Sequence, residues 1–211
     1  MNPPHYPVDQ TEASGARRLR GVDGVEANSR LTAALGLVLF VLLAGEGVTI
    51  LRIHPLLSEH VAIGALLLPP AVLKMATTGY RMAAYYRRSP AYRLKGPPPA
   101  VLRVLGPFVV VLTAEVLASG VALLYAGPQW HRTLLLLHKA GFIAWLATMS
   151  IHVLGHLTET YHHAWRDWVT ARRWKLSGGG VRRALVIASI ALGAVLALVL
   201  TPRIGVAMST H

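Results

Sequence analysis

Three histidines lie within one apolar stretch of the sequence, where an imidazole can bind a metal or carry a proton. The stretch 134–157 reads LLLLHKAGFIAWLATMSIHVLGHL and contains His138, His152 and His156. About 20 apolar residues cross a bilayer as a helix, and an ionisable group inside such a span is costly enough to indicate function. At about 1.5 Å and 100° per residue, His138 and His152 lie about 21 Å apart on nearly one helix face. This spacing suits two haems stacked in a helical bundle, provided that another helix supplies the partner ligands.

His60 is the predicted partner of His138. The two residues fall in the same leaflet on antiparallel helices, so their imidazoles can ligate one iron from opposite sides. Bis-histidine ligation leaves no open coordination position, which favours electron transfer over oxygen chemistry. Gly64 and Gly141 follow the two histidines by four and three residues, and they predict room for a flat macrocycle. The alternative is that both histidines are interfacial residues in contact with headgroups or water.

A second, inner haem site would need a partner for His152. The matching position, fourteen residues after His60, is Lys74. Three interpretations of Lys74 stay open: a neutral axial ligand, a partner of a haem propionate or quinone oxygen, or a side chain that reaches the membrane surface. We therefore expect one haem b, and a second only if the inner site is complete.

Glu46 and Glu115 are the two carboxylates inside the predicted spans, at depths near the outer site. They can be protonated glutamates hydrogen-bonded across the bundle, or members of a proton relay. With His60 and His138 they can also form a carboxylate–histidine metal site. The metal site is disfavoured because the spans lack the Glu-x-x-His pairs that such bundles use.

The composition restricts the class of protein. The chain has 211 residues, of which 54% are hydrophobic and 14% charged, and these values are typical of an integral membrane protein. It contains no Cys, so disulfides, iron–sulfur clusters and covalently attached haem are excluded, and a haem would be of b type. No nucleotide-binding or flavin-binding motif is found. Any dehydrogenase activity would therefore belong to a partner subunit.

The apolar spans and the connections between them divide the chain into four parts. We predict a disordered tail at 1–30, a four-helix cofactor-binding core at 31–157, an interfacial extension at 158–183, and a fifth transmembrane helix with an outer C-terminus at 184–211. The predicted fold is an all-α membrane protein of five transmembrane helices. The first four enclose the cofactor and the fifth is peripheral.

The positive charges lie mainly on one side of the predicted membrane. The net charge is +12, and 16 of the 21 Lys and Arg residues flank one side, against three on the other. The positive-inside rule then gives a cytoplasmic N-terminus and an outer C-terminus in the cell membrane. Anionic lipid headgroups account for the basic side, so we predict a lipid partner and no nucleic acid.

These residues resemble the membrane cytochrome b group, which includes hydrogenase and formate dehydrogenase b subunits and ferric-reductase-like membrane domains. The resemblance covers about 31–157 and rests on His60 opposite His138 and on the step from His138 to His152. In that group each of two ligand helices carries two histidines, and Lys74 departs from this pattern. The region 60–86 is also similar to small membrane proteins of high-GC, actinobacterial-type bacteria.

The resemblance implies a haem protein that carries single electrons between a quinol pool or partner dehydrogenase and an acceptor. Such a chain is at most an electron-transfer subunit of an oxidoreductase. Two other functions compete with this one. The first is a cofactor-free scaffold or assembly subunit whose polar residues form interhelical hydrogen bonds. The second is a metal- or proton-coupled transporter that uses Glu46, Glu115 and His138.

Overall fold

The protein is built from helices. The structure, a computed structural model, describes residues 10–94, 100–167 and 179–205. Within these ranges the chain forms six helices: α1 (Gln10–Leu51), α2 (Leu57–Tyr86), α3 (Pro90–Leu94), α4 (Ala100–Leu123), α5 (Pro128–Asp167) and α6 (Gly179–Leu200).

Five segments of the described residues are long and apolar enough to cross a membrane. They are Gly24–Leu51, Leu57–Tyr86, Arg103–Leu123, Pro128–Leu154 and Gly179–Gly205. Large apolar side chains cover the outside of the molecule; Leu51 is 83% exposed and Leu198 is 77% exposed. Such a surface is stable against lipid and would not be stable in water. The predicted all-α membrane fold with five spans is confirmed.

The first helix is longer than the sequence analysis predicts. We expected a disordered tail at 1–30, whereas α1 begins at Gln10. The helix packs against α3, and Val25 of α1 and Tyr92 of α3 are both buried. Residues 1–9 of the expected tail lie outside the described residues.

Helices α1 and α2 form an antiparallel hairpin joined by the turn at 52–56. Polar contacts connect the two helices at the end away from this turn. Asn28 Nδ2 donates to the Thr77 carbonyl at 3.2 Å, and the Thr32 and Thr77 hydroxyls are 3.2 Å apart. In lipid, such interhelical hydrogen bonds hold together surfaces that gain nothing from hydrophobic burial alone.

Helices α4 and α5 form a second antiparallel hairpin, joined by the turn at 124–127. Trp145 Nε1 on α5 donates to Thr113 Oγ1 on α4 at 2.9 Å. The two hairpins meet where α2 contacts α4. The helix α5 continues to Asp167, so the predicted extension at 158–183 begins as an uninterrupted continuation of α5. Residues 168–178 of that extension lie outside the described residues.

The last helix packs on α2 at the position of two prolines. Pro70 has no N–H, so the Leu66 carbonyl lacks its usual helical donor, but α2 continues through Pro69 and Pro70. Gly193 of α6 faces this carbonyl: a Cβ there would lie 2.6 Å from the Leu66 oxygen. The buried residues of α6 are Ser189, Gly193 and Leu200, and most of its other apolar side chains are exposed. A small residue in each of two successive turns therefore lets α6 approach α2 from the edge of the molecule.

Replacing Gly193 by Ala tests this close approach. The added methyl group would meet the Leu66 backbone, which cannot move as a side chain can, so we expect a loss of about 1–3 kcal/mol in the free energy of unfolding. Unfolding in mixed micelles, followed by circular dichroism, measures the change. Gly106→Ala is the matched control because nothing lies within 4 Å of its added Cβ. Equal stability of the two variants would contradict the proposed packing.

Candidate functional site

The first half of the candidate site is in the α1–α2 hairpin. His60 Nδ1 on α2 lies 3.1 Å from Thr49 Oγ1 and 3.1 Å from Glu46 Oε1, both on α1. Thr49 is 3% exposed, and the side chains of His60 and Glu46 are 19% and 13% exposed. The turn between the helices places these residues near one end of the membrane span. The imidazole is therefore held by oxygen atoms of the neighbouring helix.

The hydrogen bonds fix the tautomer of His60. The Thr49 hydroxyl donates its single proton to the Glu46 carbonyl at 2.7 Å. The same hydroxyl oxygen can then only accept from His60, so the proton of the imidazole is on Nδ1. This assignment leaves the Nε2 lone pair of His60 for a ligand.

The second half of the site is in the α4–α5 hairpin and follows the same design. His138 Nδ1 on α5 donates to the Val116 carbonyl at 3.1 Å and to Ser119 Oγ at 3.0 Å. Ser119 is 4% exposed, and its hydroxyl donates to the same Val116 carbonyl at 3.1 Å. A carbonyl oxygen only accepts, so His138 also carries its proton on Nδ1. Its Nε2 lone pair is likewise left for a ligand.

The two imidazoles meet where the hairpins touch. The ring centroids of His60 and His138 are 6.3 Å apart, and the ring planes are inclined at 83°. The structure thus brings together the two histidines that the sequence predicts to share one height in neighbouring helices. Gly120 of α4 provides space for one of them, since a Cβ at this position would lie 3.1 Å from His138 Cε1.

The glycines that the sequence predicts to face a macrocycle have carboxylates as neighbours. A Cβ at Gly64 would lie 3.4 Å from Glu46 Oε1, and a Cβ at Gly141 would overlap the carboxylate of Glu115. Each glycine lies on the helix that carries the histidine, and each carboxylate lies on the preceding helix. The small residues therefore make room for buried glutamates beside the two imidazoles.

The two glutamates are only partly satisfied by the protein. Both carboxylate oxygens of Glu115 and the Oε2 atom of Glu46 are buried, and none of them has a hydrogen-bond partner among the described residues. A buried polar atom without a partner is costly, and in native proteins it is a common mark of function. These carboxylates are the polar groups nearest to the histidine pair that are open to a proton or a hydrogen-bond donor.

Lys74 has a partner that the sequence does not predict. Its Nζ atom donates to the Thr32 carbonyl on α1 at 3.0 Å, and a Cβ at Gly36 would lie 2.9 Å from it. The lysine therefore connects α2 to α1, whereas His152 lies half-buried on α5. The side chain of His156 lies outside the described residues.

A metal site made by the protein alone is not formed in the described ranges. No group of three or more His, Cys, Asp or Glu side chains there is arranged to bind a metal ion. Glu46, Glu115 and the two histidines therefore lack the geometry of a bundle carboxylate site. A metal held in a macrocycle needs fewer ligands from the protein, because the nitrogens of the macrocycle already bind it. Two imidazoles are enough to complete the coordination of such a metal.

The sequence analysis missed the residues that orient the two rings. Thr49 and Ser119 each donate to the carbonyl three residues earlier and each accept from a histidine. A signal was present, because a hydroxyl residue follows Glu46 by three positions and Glu115 by four. Each hydroxyl thus lies one helical turn from an intramembrane glutamate.

Comparison of the chain with protein-family models, with characterised proteins and with solved structures finds no match. The functional assignment therefore rests on the chemistry of the site.

A double-mutant cycle tests the contact between Glu115 and Gly141. Gly141→Ala alone should lower the free energy of unfolding by about 1–3 kcal/mol, because the new methyl group and the carboxylate compete for one space. In a Glu115→Ala background the same change should cost much less, with a coupling of about 1 kcal/mol or more. Additive effects, measured by unfolding in mixed micelles, would contradict the contact.

Proposed function

We propose that this protein is a membrane b-type cytochrome in which His60 and His138 are the axial ligands of one haem. The observation that carries the proposal is the meeting of two neutral imidazoles from separate hairpins, each held at Nδ1. Metal-binding histidines characteristically donate their second ring N–H to a carbonyl or carboxylate in this way.

The ring geometry fits coordination of one metal from two sides. Two metal–nitrogen bonds of about 2.0 Å, together with the ring radii, separate the centroids of opposed imidazoles by about 6 Å. The observed separation is 6.3 Å. The inclination of 83° is compatible with this arrangement, because coordination of one metal from two sides sets no fixed angle between the planes of the two rings.

A bound haem b supplies a single-electron couple between ferric and ferrous iron. The protein residues then have separate tasks. Thr49 and the Val116 carbonyl hold the Nδ1 protons and keep the rings oriented, and Ser119 does the same for His138. Glu46, beside the Nδ1 atom of His60, would make that imidazole a stronger electron donor to a bound iron and so would favour the ferric state.

Electron transfer is the activity that this ligand set supports. His60 and His138 would together hold the iron of a haem and would leave no open site for a small molecule. The chain would pass electrons between a quinol pool or a partner dehydrogenase and an acceptor at the outer face. We place it in the cell membrane with a cytoplasmic N-terminus, because 16 of the 21 Lys and Arg residues flank one side of the predicted spans.

One haem per chain is the expected stoichiometry. The contact between Lys74 and the Thr32 carbonyl gives this lysine a partner on α1, and it does not favour a second site shared with His152. His152→Ala should therefore leave the haem content unchanged.

Proton transport is a second candidate function, and the unsatisfied oxygens of Glu46 and Glu115 favour it. In that function the two Glu–His units would exchange protons without any pigment. A scaffold role would need neither pigment nor transport. Haem content separates the cytochrome from both alternatives.

Removing either ligand should abolish haem binding. The full chain, expressed with adequate haem and purified in detergent, should show b-type bands in its reduced-minus-oxidised spectrum. We expect His60→Ala and His138→Ala each to reduce the haem content at least about tenfold, because one imidazole alone leaves the metal half ligated.

The matched control is His54→Ala, at an exposed position in the turn that precedes α2. It should retain the pigment in full. A spectrum without b-type bands in the unmodified chain would reject the cytochrome, and normal bands in His138→Ala would reject the ligand assignment.

Replacing Glu46 by Gln should raise the midpoint potential of the haem. Glu46→Gln keeps the shape of the side chain but cannot lose a proton beside His60 when the iron is oxidised, and each tenfold change in relative affinity shifts a one-electron potential by about 60 mV. We expect an increase of tens of millivolts by spectroelectrochemistry. Glu59→Gln is the control, since Glu59 precedes His60 directly but is exposed. Identical shifts in both variants would show that Glu46 has no special role.

A further inference from the structure

A groove between α1 and α6 lies away from the histidine pair, beside the beginning of α6 and the middle of α1. Its volume is about 400 Å³. We call it the arginine groove, because three arginines line it: Arg30 of α1 and Arg182 and Arg183 of α6. Residues of both helices line the groove, which lies near the polar boundary of the membrane spans.

The two ends of the arginine groove differ in chemistry. The arginines lie near the start of the spans, and Ala34, Val186 and Ile187 line the groove about one turn further along the helices. Ala34 and Ile187 are exposed on the surface that faces lipid. A ligand for the groove should therefore carry an anionic group at one end and a hydrocarbon chain at the other.

Two of the three arginines, Arg30 and Arg183, keep N–H donors for an anion after their own contacts are made. Arg30 Nε pairs with Glu26 Oε1 at 3.0 Å, and this pair is half-exposed. Arg183 Nε donates to the Gly179 carbonyl at 3.4 Å. Each guanidinium has five N–H donors, so these contacts leave most donors of both side chains for an anion. The N-terminus of the 22-residue helix α6 adds a favourable dipole.

We infer that the arginine groove binds an anionic phospholipid, whose phosphate contacts the three arginines and whose acyl chain lies along Ala34, Val186 and Ile187. Basic pockets between transmembrane helices bind anionic headgroups on the cytoplasmic side of membranes. The groove lies on the side that the positive-inside rule predicts to be cytoplasmic, because 16 of the 21 Lys and Arg residues flank that side of the predicted spans. The inference concerns α1 and α6 and does not depend on haem binding.

Native mass spectrometry of the full chain, purified in detergent, tests the inference with phosphatidylglycerol and phosphatidylcholine as probes. We expect phosphatidylglycerol to be retained preferentially, and Arg182→Gln/Arg183→Gln to lower its retention by about tenfold or more. The matched control is Arg87→Gln/Arg93→Gln, which removes the same charge from exposed positions on the same side. An equal loss in both double variants would show only a diffuse basic surface and would overturn the inference.

A second variant separates a lipid from a free phosphate. Ala34→Trp fills the apolar end of the groove and leaves all three arginines in place, so it should lower phosphatidylglycerol retention several-fold. Full retention in Ala34→Trp, together with displacement of the lipid by millimolar inorganic phosphate, would identify a phosphate site and overturn the lipid assignment. Helix content by circular dichroism, measured in every variant, reports correct folding independently of lipid and haem binding.

Discussion

The hydrogen bonds made by the Nδ1 atoms of two intramembrane histidines are the constraint on which the proposed site depends. In the hydrocarbon region no water is present to satisfy an imidazole, so every N–H must find its acceptor in the protein. Thr49 and Glu46 provide the acceptors for His60, and Val116 and Ser119 provide them for His138. Because each proton is held on Nδ1, the opposite nitrogen of each ring keeps a lone pair at the contact between the hairpins.

The two hairpins satisfy the Nδ1–H group of their histidine in the same way. In each one, the first helix supplies a hydroxyl residue that donates to the carbonyl three residues earlier, and the second helix supplies the histidine. In each one, a glutamate of the first helix lies against a glycine of the second. The site is therefore built from two similar units, and the contact of α2 with α4 brings their imidazoles together. Helix α6 supports this arrangement from outside, since it packs on α2 through Gly193.

The features that the sequence predicts correctly depend on single helices. Apolar length gives the five spans, and the depth of a residue within a span gives the common height of His60 and His138. The features that it does not predict depend on how one helix is rotated against another. The roles of Thr49 and Ser119, the carboxylates at Gly64 and Gly141, and the contact of Lys74 with α1 all belong to this second group. The start of α1 at Gln10 is not predicted either, because the first residues of this helix have little apolar periodicity.

The central claim is that one ferric iron is bound between two imidazoles whose planes are nearly perpendicular. Low-temperature electron paramagnetic resonance of the oxidised, purified full chain tests it most directly, because this method reports both the spin state and the relative orientation of axial ligands. The account predicts a single low-spin ferric haem signal with the strong anisotropy that perpendicular imidazoles produce. A high-spin signal, or no ferric haem signal in a correctly folded chain supplied with haem, would contradict it.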